Sequence, residues 1–183
     1  KSLNAISLPA RFVGRRAEMR QYKNELLKGK IQKLLITGPG GQGKTSLAGK
    51  LALDLRQARG YRVFAWSARP ENPWREFEFE LELALDESRV KKYDHFRPRF
   101  ENDAERARFM LDLLTDQFNG RAVFFFDNLE SLQNPDTLTL QDARVAAWIQ
   151  AARSAPGVIL LATSRWQLPD WDGEHLFLSR ANY

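Results

Sequence analysis

The sequence predicts an α/β fold in which a parallel β-sheet is covered by helices on both faces. Three observations predict it. Short apolar runs, at 31–37, 121–126 and 158–162, are of the kind buried on both sides of a parallel sheet. Stretches with apolar residues at helical spacing alternate with them, which is the order a wound sheet requires. Between the first such run and the helix after it stands Gly38-Pro39-Gly40-Gly41-Gln42-Gly43-Lys44-Thr45, a glycine-rich loop in a strand–loop–helix setting.

The elements follow in order along the chain. Pro9 to Gly14 is an extended lead-in to a helix from about Arg16 to Lys28, with Met19, Tyr22, Leu26 and Leu27 on one side. Ile31 to Thr37 is the first strand. After the glycine loop, Leu47, Ala48, Leu51, Ala52 and Leu55 mark a helical face, and Gly60 ends that helix. Tyr61 to Trp66 is a second strand. Pro70 and Pro73 mark a loop, followed by helices over Pro73–Leu85 and Asn102–Phe118. Gly120 precedes the strand ending at Phe126. A helix over Leu140–Arg153 presents Val145, Ala146, Trp148 and Ile149, and Pro156-Gly157 stops it. Val158 to Ala162 is a fourth strand and His175 to Leu178 a short fifth. No internal repeat or low-complexity segment interrupts the pattern.

Composition narrows the class. With 183 residues, the chain has the length of one α/β domain with a substantial core. Its apolar runs are far too short to span a membrane. There is no cysteine, so disulfide and thiolate chemistry are excluded, which is compatible with a cytoplasmic protein. No apolar N-terminal stretch reads as a signal peptide. The absence of an initiating methionine leads us to expect a domain excised from a larger protein.

The net charge of +5 is modest. Basic residues concentrate between Arg89 and Arg108, with Tyr93, Phe96 and Phe100 among them. A nucleic-acid groove is one reading of that segment. Glu101, Asp103 and Glu105 lie in the same stretch, and favour a solvated loop and helix start over nucleic-acid binding.

The glycine loop carries the chemistry. It fits G-x-x-x-x-G-K-[ST], in which glycines let successive N–H groups turn inward around phosphate oxygens. Lys44 supplies an ammonium for β- and γ-phosphates, and Thr45 a hydroxyl for Mg²⁺. The helix beginning near Gly43 aims its positive end at the same anion. The expected ligand is a nucleoside phosphate. No base-reading N-K-x-D pattern for guanine is present, which tilts the expectation toward ATP and ADP.

Such a loop needs a carboxylate for its metal, and the run Phe124-Phe125-Phe126-Asp127 ends in one. Alone, Asp127 is equally well a turn or helix cap; behind a complete phosphate loop it is the candidate Mg²⁺ residue. Glu130, three residues on, is a candidate base for hydrolytic water or else a solvated loop acid. Asn128, directly after Asp127, can position water and cannot take its proton. Thr163-Ser164-Arg165 follows the Val158–Ala162 strand, where polar residues of an α/β sheet face the ligand crevice. Arg165 offers a guanidinium fork for the γ-phosphate, or is a surface arginine. Lys44, Asp127, Glu130 and Arg165 are the candidate catalytic set.

In combination these motifs resemble the STAND class of P-loop NTPases, which includes NB-ARC and NACHT domains. Phe12-Val13-Gly14-Arg15, followed by a helix containing Glu18, resembles the hhGR box of that class. Phe124 to Glu130 resembles its Walker B segment, and Ala162-Thr163-Ser164-Arg165 its sensor strand. The resemblance implies a three-layer sandwich around a five-stranded parallel sheet of order 5-1-4-3-2. It implies that Val13, Gly14 and Arg15 lie against base and ribose. Gly38, Gly40, Gly41, Gln42, Gly43, Lys44, Thr45 and Ser46 would hold the phosphates, with Thr45 and Asp127 organising Mg²⁺ and Arg165 as sensor. It further implies an ADP/ATP switch that controls self-association and drives effector and sensor domains outside this segment. Asn128, where some relatives carry a second acid, implies slow hydrolysis. An ATP-driven AAA+-type motor acting on nucleic acid or protein is the alternative, and a structural domain that keeps the loop without turnover is a third reading.

Overall fold

The computed structural model describes residues 15–179. Five strands form one sheet: β1 (Lys33–Thr37), β2 (Arg62–Ser67), β3 (Ala122–Asp127), β4 (Val158–Ser164) and β5 (Glu174–Phe177). Their spatial order is β2-β3-β4-β1-β5, and every pairing is parallel. This is the expected order, 5-1-4-3-2. The strand ending at Asp127 is separated from β1 by β4.

Parallel neighbours require crossovers, which helices provide except between β4 and β5, while one further helix precedes β1. The helices are α1 (Arg16–Leu27), α2 (Lys44–Arg59), α3 (Pro73–Ala84), α4 (Glu87–Phe96), α5 (Asp103–Gln117) and α6 (Ala143–Ser154). Side chains alternate across the sheet, as the period of a strand dictates. Val123 and Phe125 of β3 join Leu34, Ile36, Ile159 and Leu161 in a cluster with α1 and α2. Phe124 and Phe126 join Phe64, Trp66 and Leu160 in a second cluster with α3, α5 and α6. Trp148 of α6 centres the second, its ring 5.1 Å from both Phe77 and Phe124 and 5.9 Å from Phe126, with edge-on geometry throughout. Two buried faces explain the apolar runs of β1 to β4; β5, at the sheet's edge, has no fully buried residue.

The strand and helix expectations hold apart from shifts of a few residues at the ends. One segment differs in kind. Residues expected as a solvated loop and helix start contain a complete helix, α4. Asp86 caps it, its side chain accepting from the Arg89 N–H. Among the described residues of α4 only Tyr93 is fully buried, its hydroxyl donating to Glu78 of α3 at 2.6 Å. A helix with one buried residue leaves no apolar stripe in the sequence. Four of the basic side chains are paired with acids: Arg97 with Glu78 and Glu82, Arg89 with Asp86 and Asp116, Lys91 with Glu87, Arg106 with Asp103. Part of the basic density is thus neutralised in place, while Lys92 and Arg99 lie over the rings of Phe109 and Phe96.

Strand register brings the chemistry to one edge. Thr37 pairs with Ser164, and Ser67 with Asp127, so four polar residues end their strands side by side. No helix among the described residues is long and apolar enough to cross a membrane.

Candidate functional site

The site is assembled where β1, β3 and β4 end. β1 runs into the glycine loop, and α2 begins at Lys44 behind Gly43, whose φ of 81° lies in the left-handed region. No side chain caps α2, so its first N–H groups are left to an anion. Gly38 opens the loop at φ 143°, and a Cβ there would collide with the Leu178 carbonyl oxygen. Leu178 in turn donates its N–H to the Thr37 oxygen at 2.8 Å, fixing the loop's root against the chain leaving β5.

Lys44 is 8% exposed and its ammonium turns into the loop, donating to the Gly38 and Pro39 carbonyls at 2.8 and 2.7 Å. One N–H remains for an acceptor outside those two bonds. Burial lowers its pKa; Glu130 opposes that shift, Arg165 adds to it and Asp127 opposes it.

Asp127 is the hub. Its Oδ1 accepts from Thr45 Oγ1 at 2.7 Å and from Thr163 Oγ1 at 2.6 Å, and Ser67 Oγ reaches Oδ2 at 3.3 Å. The cap alternative for Asp127 does not describe this geometry, because every one of those donors is a side chain on another element. The short helical turn Leu129–Leu132 starts instead from Asn128, at φ 63°. Asn128 donates its N–H to Thr163 Oγ1 and its side-chain amide to the Ala68 carbonyl, both at 3.0 Å.

Arg165 reaches back over the loop. Its guanidinium would be 3.4 Å from a Cβ at Gly40, and its Nε lies 3.6 Å from Glu130 Oε1. Glu130 is 15% exposed at the side chain, while Arg165 keeps 58%. The second Glu130 oxygen, Oε2, is buried without a hydrogen-bond partner, an arrangement that favours a cationic or donor group nearby.

These residues fit a Mg²⁺–nucleotide. The loop's N–H groups and Lys44 supply positive charge for phosphates, and Thr45 and Asp127 place two hard oxygen donors together. No cluster of three or more acidic, histidine or cysteine side chains occurs among the described residues, so one carboxylate with phosphate and water ligands is the arrangement available. Gly40, Gly41, Gln42, Gly43 and Ser46 lie in or directly behind the loop, Gln42 half-buried and directed to the Gly40 carbonyl at 3.5 Å. Arg15 stands before α1 at φ 50° and donates to the Ser179 carbonyl at 2.7 Å. Val13 and Gly14, expected against the base, lie outside the described residues.

Sequence reasoning missed Ser67 and Gln133. Ser67 carries the same signal as Thr163, a polar residue at a strand's carboxyl end. Gln133, buried at 5% exposure, binds across the site's rear, and nothing local in the sequence marks it.

No family model matches the chain, and no curated protein does. Solved structures do. A STAND ATPase with a tetratricopeptide-repeat sensor from Pyrococcus horikoshii aligns over 96% of this chain at 19% identity, with a TM-score of 0.51. Cdc6p from Pyrobaculum aerophilum aligns over 94% at 14% identity, with a TM-score of 0.57. A chain of the E. coli MS115-1 HORMA:CdnC:Trip13 complex aligns over 94% at 13% identity, with a TM-score of 0.51. The fold is that of a P-loop NTPase domain. The chain spans 24%, 47% and 65% of those three chains respectively.

Proposed function

We propose that this domain is an ATP/ADP switch within a larger cytoplasmic signalling or regulatory protein, with slow Mg²⁺-dependent hydrolysis that resets it. The observation that carries the reading is Arg165, held over Gly40 beside Glu130. A guanidinium at the loop's mouth distinguishes a triphosphate from a diphosphate by charge and by its bidentate fork. The roles assigned to the remaining residues follow. Lys44 and the loop N–H groups hold phosphates, and Thr45 with Asp127 orients the metal, which supplies charge neutralisation at the β- and γ-phosphates. Glu130 receives the proton of the attacking water or steers Arg165.

Slow turnover is expected because Asn128 stands where a second acid would activate water, and its amide is committed to the Ala68 carbonyl. The ATP-bound form is the one that favours self-association of the whole protein, which couples the domain to effector and sensor regions outside this segment.

Calorimetry with ADP, ATP and a non-hydrolysable ATP analogue, alongside light scattering of each complex, tests the reading. Tight ADP retention, turnover well below about one per second and a larger assembly with the analogue are expected. Turnover well above that rate, stimulated by DNA, RNA or a protein client, identifies an AAA+-type motor instead.

A further inference from the structure

Behind the site, one buried amide joins the two loops that carry Glu130 and Arg165. Gln133 ends the short helical turn Leu129–Leu132, and its N–H donates to the Glu130 carbonyl at 3.2 Å. Its side-chain oxygen accepts from Ser164 Oγ at 2.6 Å. Its side-chain nitrogen donates to the Gln167 carbonyl at 2.9 Å and to the Leu138 carbonyl at 2.7 Å. Ser164 and Gln167 stand on either side of Arg165, so the amide grips the backbone that presents the guanidinium from both directions. Leu138 holds an unfavourable φ of 60° for a branched residue, and its carbonyl is one of the amide's partners. Both donors of the amide are used, which fixes its orientation.

We propose that Gln133 is a positioning residue for the γ-phosphate response: it sets the distance between the Arg165 and Glu130 turns and so determines whether Arg165 can act on the third phosphate. The proposal rests on Arg165 being the sensor. A purely structural amide would stabilise the fold and affect ADP and ATP alike. A positioning amide affects ATP selectively and only while Arg165 is present, because it acts through that side chain. Gln133 does not touch the loop glycines, Lys44 or Thr45 through any of these bonds, so ADP binding has no reason to change with it.

The test is a double-mutant cycle in the intact protein, combining Gln133→Met with Arg165→Ala. Affinities for ADP and for a non-hydrolysable ATP analogue are measured by calorimetry, with melting temperature recorded for each variant. Gln133→Met preserves side-chain length and removes all three bonds. Ser164→Ala, which removes one of the amide's three bonds together with the Trp166 N–H bond to the same hydroxyl and leaves both amide donors engaged, serves if Gln133→Met fails to fold. The expected result is a loss of roughly tenfold in the preference for the triphosphate analogue over ADP, with ADP affinity unchanged, and no further loss when Arg165 is already alanine. A loss of equal size in both backgrounds, or a parallel loss of ADP affinity, overturns the positioning role alone. An Arg165→Ala variant with unaltered triphosphate preference overturns the sensor reading and this inference with it.

Discussion

Asp127 is oriented by hydroxyls from three elements: Thr45 of α2, Thr163 of β4 and Ser67 of β2. A carboxylate fixed in this way has little rotational freedom left to lose when it engages a metal. Asp127→Ala is therefore expected to leave nucleotide binding partly intact while removing its dependence on Mg²⁺. Titrations of ADP with and without the metal that still differ as in the parent protein refute the assignment. Lys44 is the other decisive position, as the buried ammonium turned into the loop. Lys44→Ala is expected to weaken ADP and ATP binding by roughly 10- to 100-fold, the value of one or two charge-assisted hydrogen bonds. Unchanged ADP affinity in calorimetry contradicts that expectation.

At the scale of elements, the joint between α3 and α4 has a measurable signature. Tyr93 donates to Glu78 Oε1, and Arg97 binds Oε2 of the same carboxylate at 2.6 Å. Burial, followed by the hydrogen bond and charge of Glu78, raises the Tyr93 phenol above its ordinary value of 10.0. The folded chain holds that proton more tightly than the unfolded chain does. Its contribution to stability is complete below about pH 10 and is lost as pH rises beyond it. Tyr93→Phe is expected to cost about 1–2 kcal/mol at neutral pH in denaturant titrations, and to flatten the alkaline decline in stability. A decline as steep as the parent protein's places its origin elsewhere. The same joint shows where sequence reading stops. Strands β1 to β4 were legible because each is buried on two faces, and the glycine loop because its spacing is fixed by phosphate geometry. The helix α4 was not legible, since a single buried tyrosine held by a carboxylate on another helix leaves no periodic trace. Gln133 was hidden for a related reason: its partners Ser164 and Gln167 lie at the end of β4 and in the turn after it.

For the whole molecule, nucleotide and fold are thermodynamically linked. A ligand that binds only the folded state stabilises it, by about 2.7 kcal/mol when present at a hundred times its dissociation constant. In a domain of this size that corresponds to a rise of roughly 5–10 °C in melting temperature. Mg²⁺–ADP is expected to produce such a rise in the parent protein and a markedly smaller one in Lys44→Ala at the same nucleotide concentration. Equal shifts in both would locate nucleotide away from the loop. The candidate site was legible from sequence in its loop, its strand-end aspartate and its arginine. How Glu130 and Arg165 meet was not, because the expected order makes β3 and β4 neighbours without fixing the turns beyond them, which carry the two side chains.

The contact between Gly38 and the Leu178 carbonyl has a mechanical consequence. Position 38 admits glycine alone for two separate reasons: its backbone angle, and a neighbour that leaves no room for a methyl group. With no slack between them, the loop's first residue and the chain leaving β5 cannot shift independently. A displacement of the chain at Leu178 would thus be felt at the root of the phosphate cradle, through Gly38 and through the Leu178–Thr37 hydrogen bond.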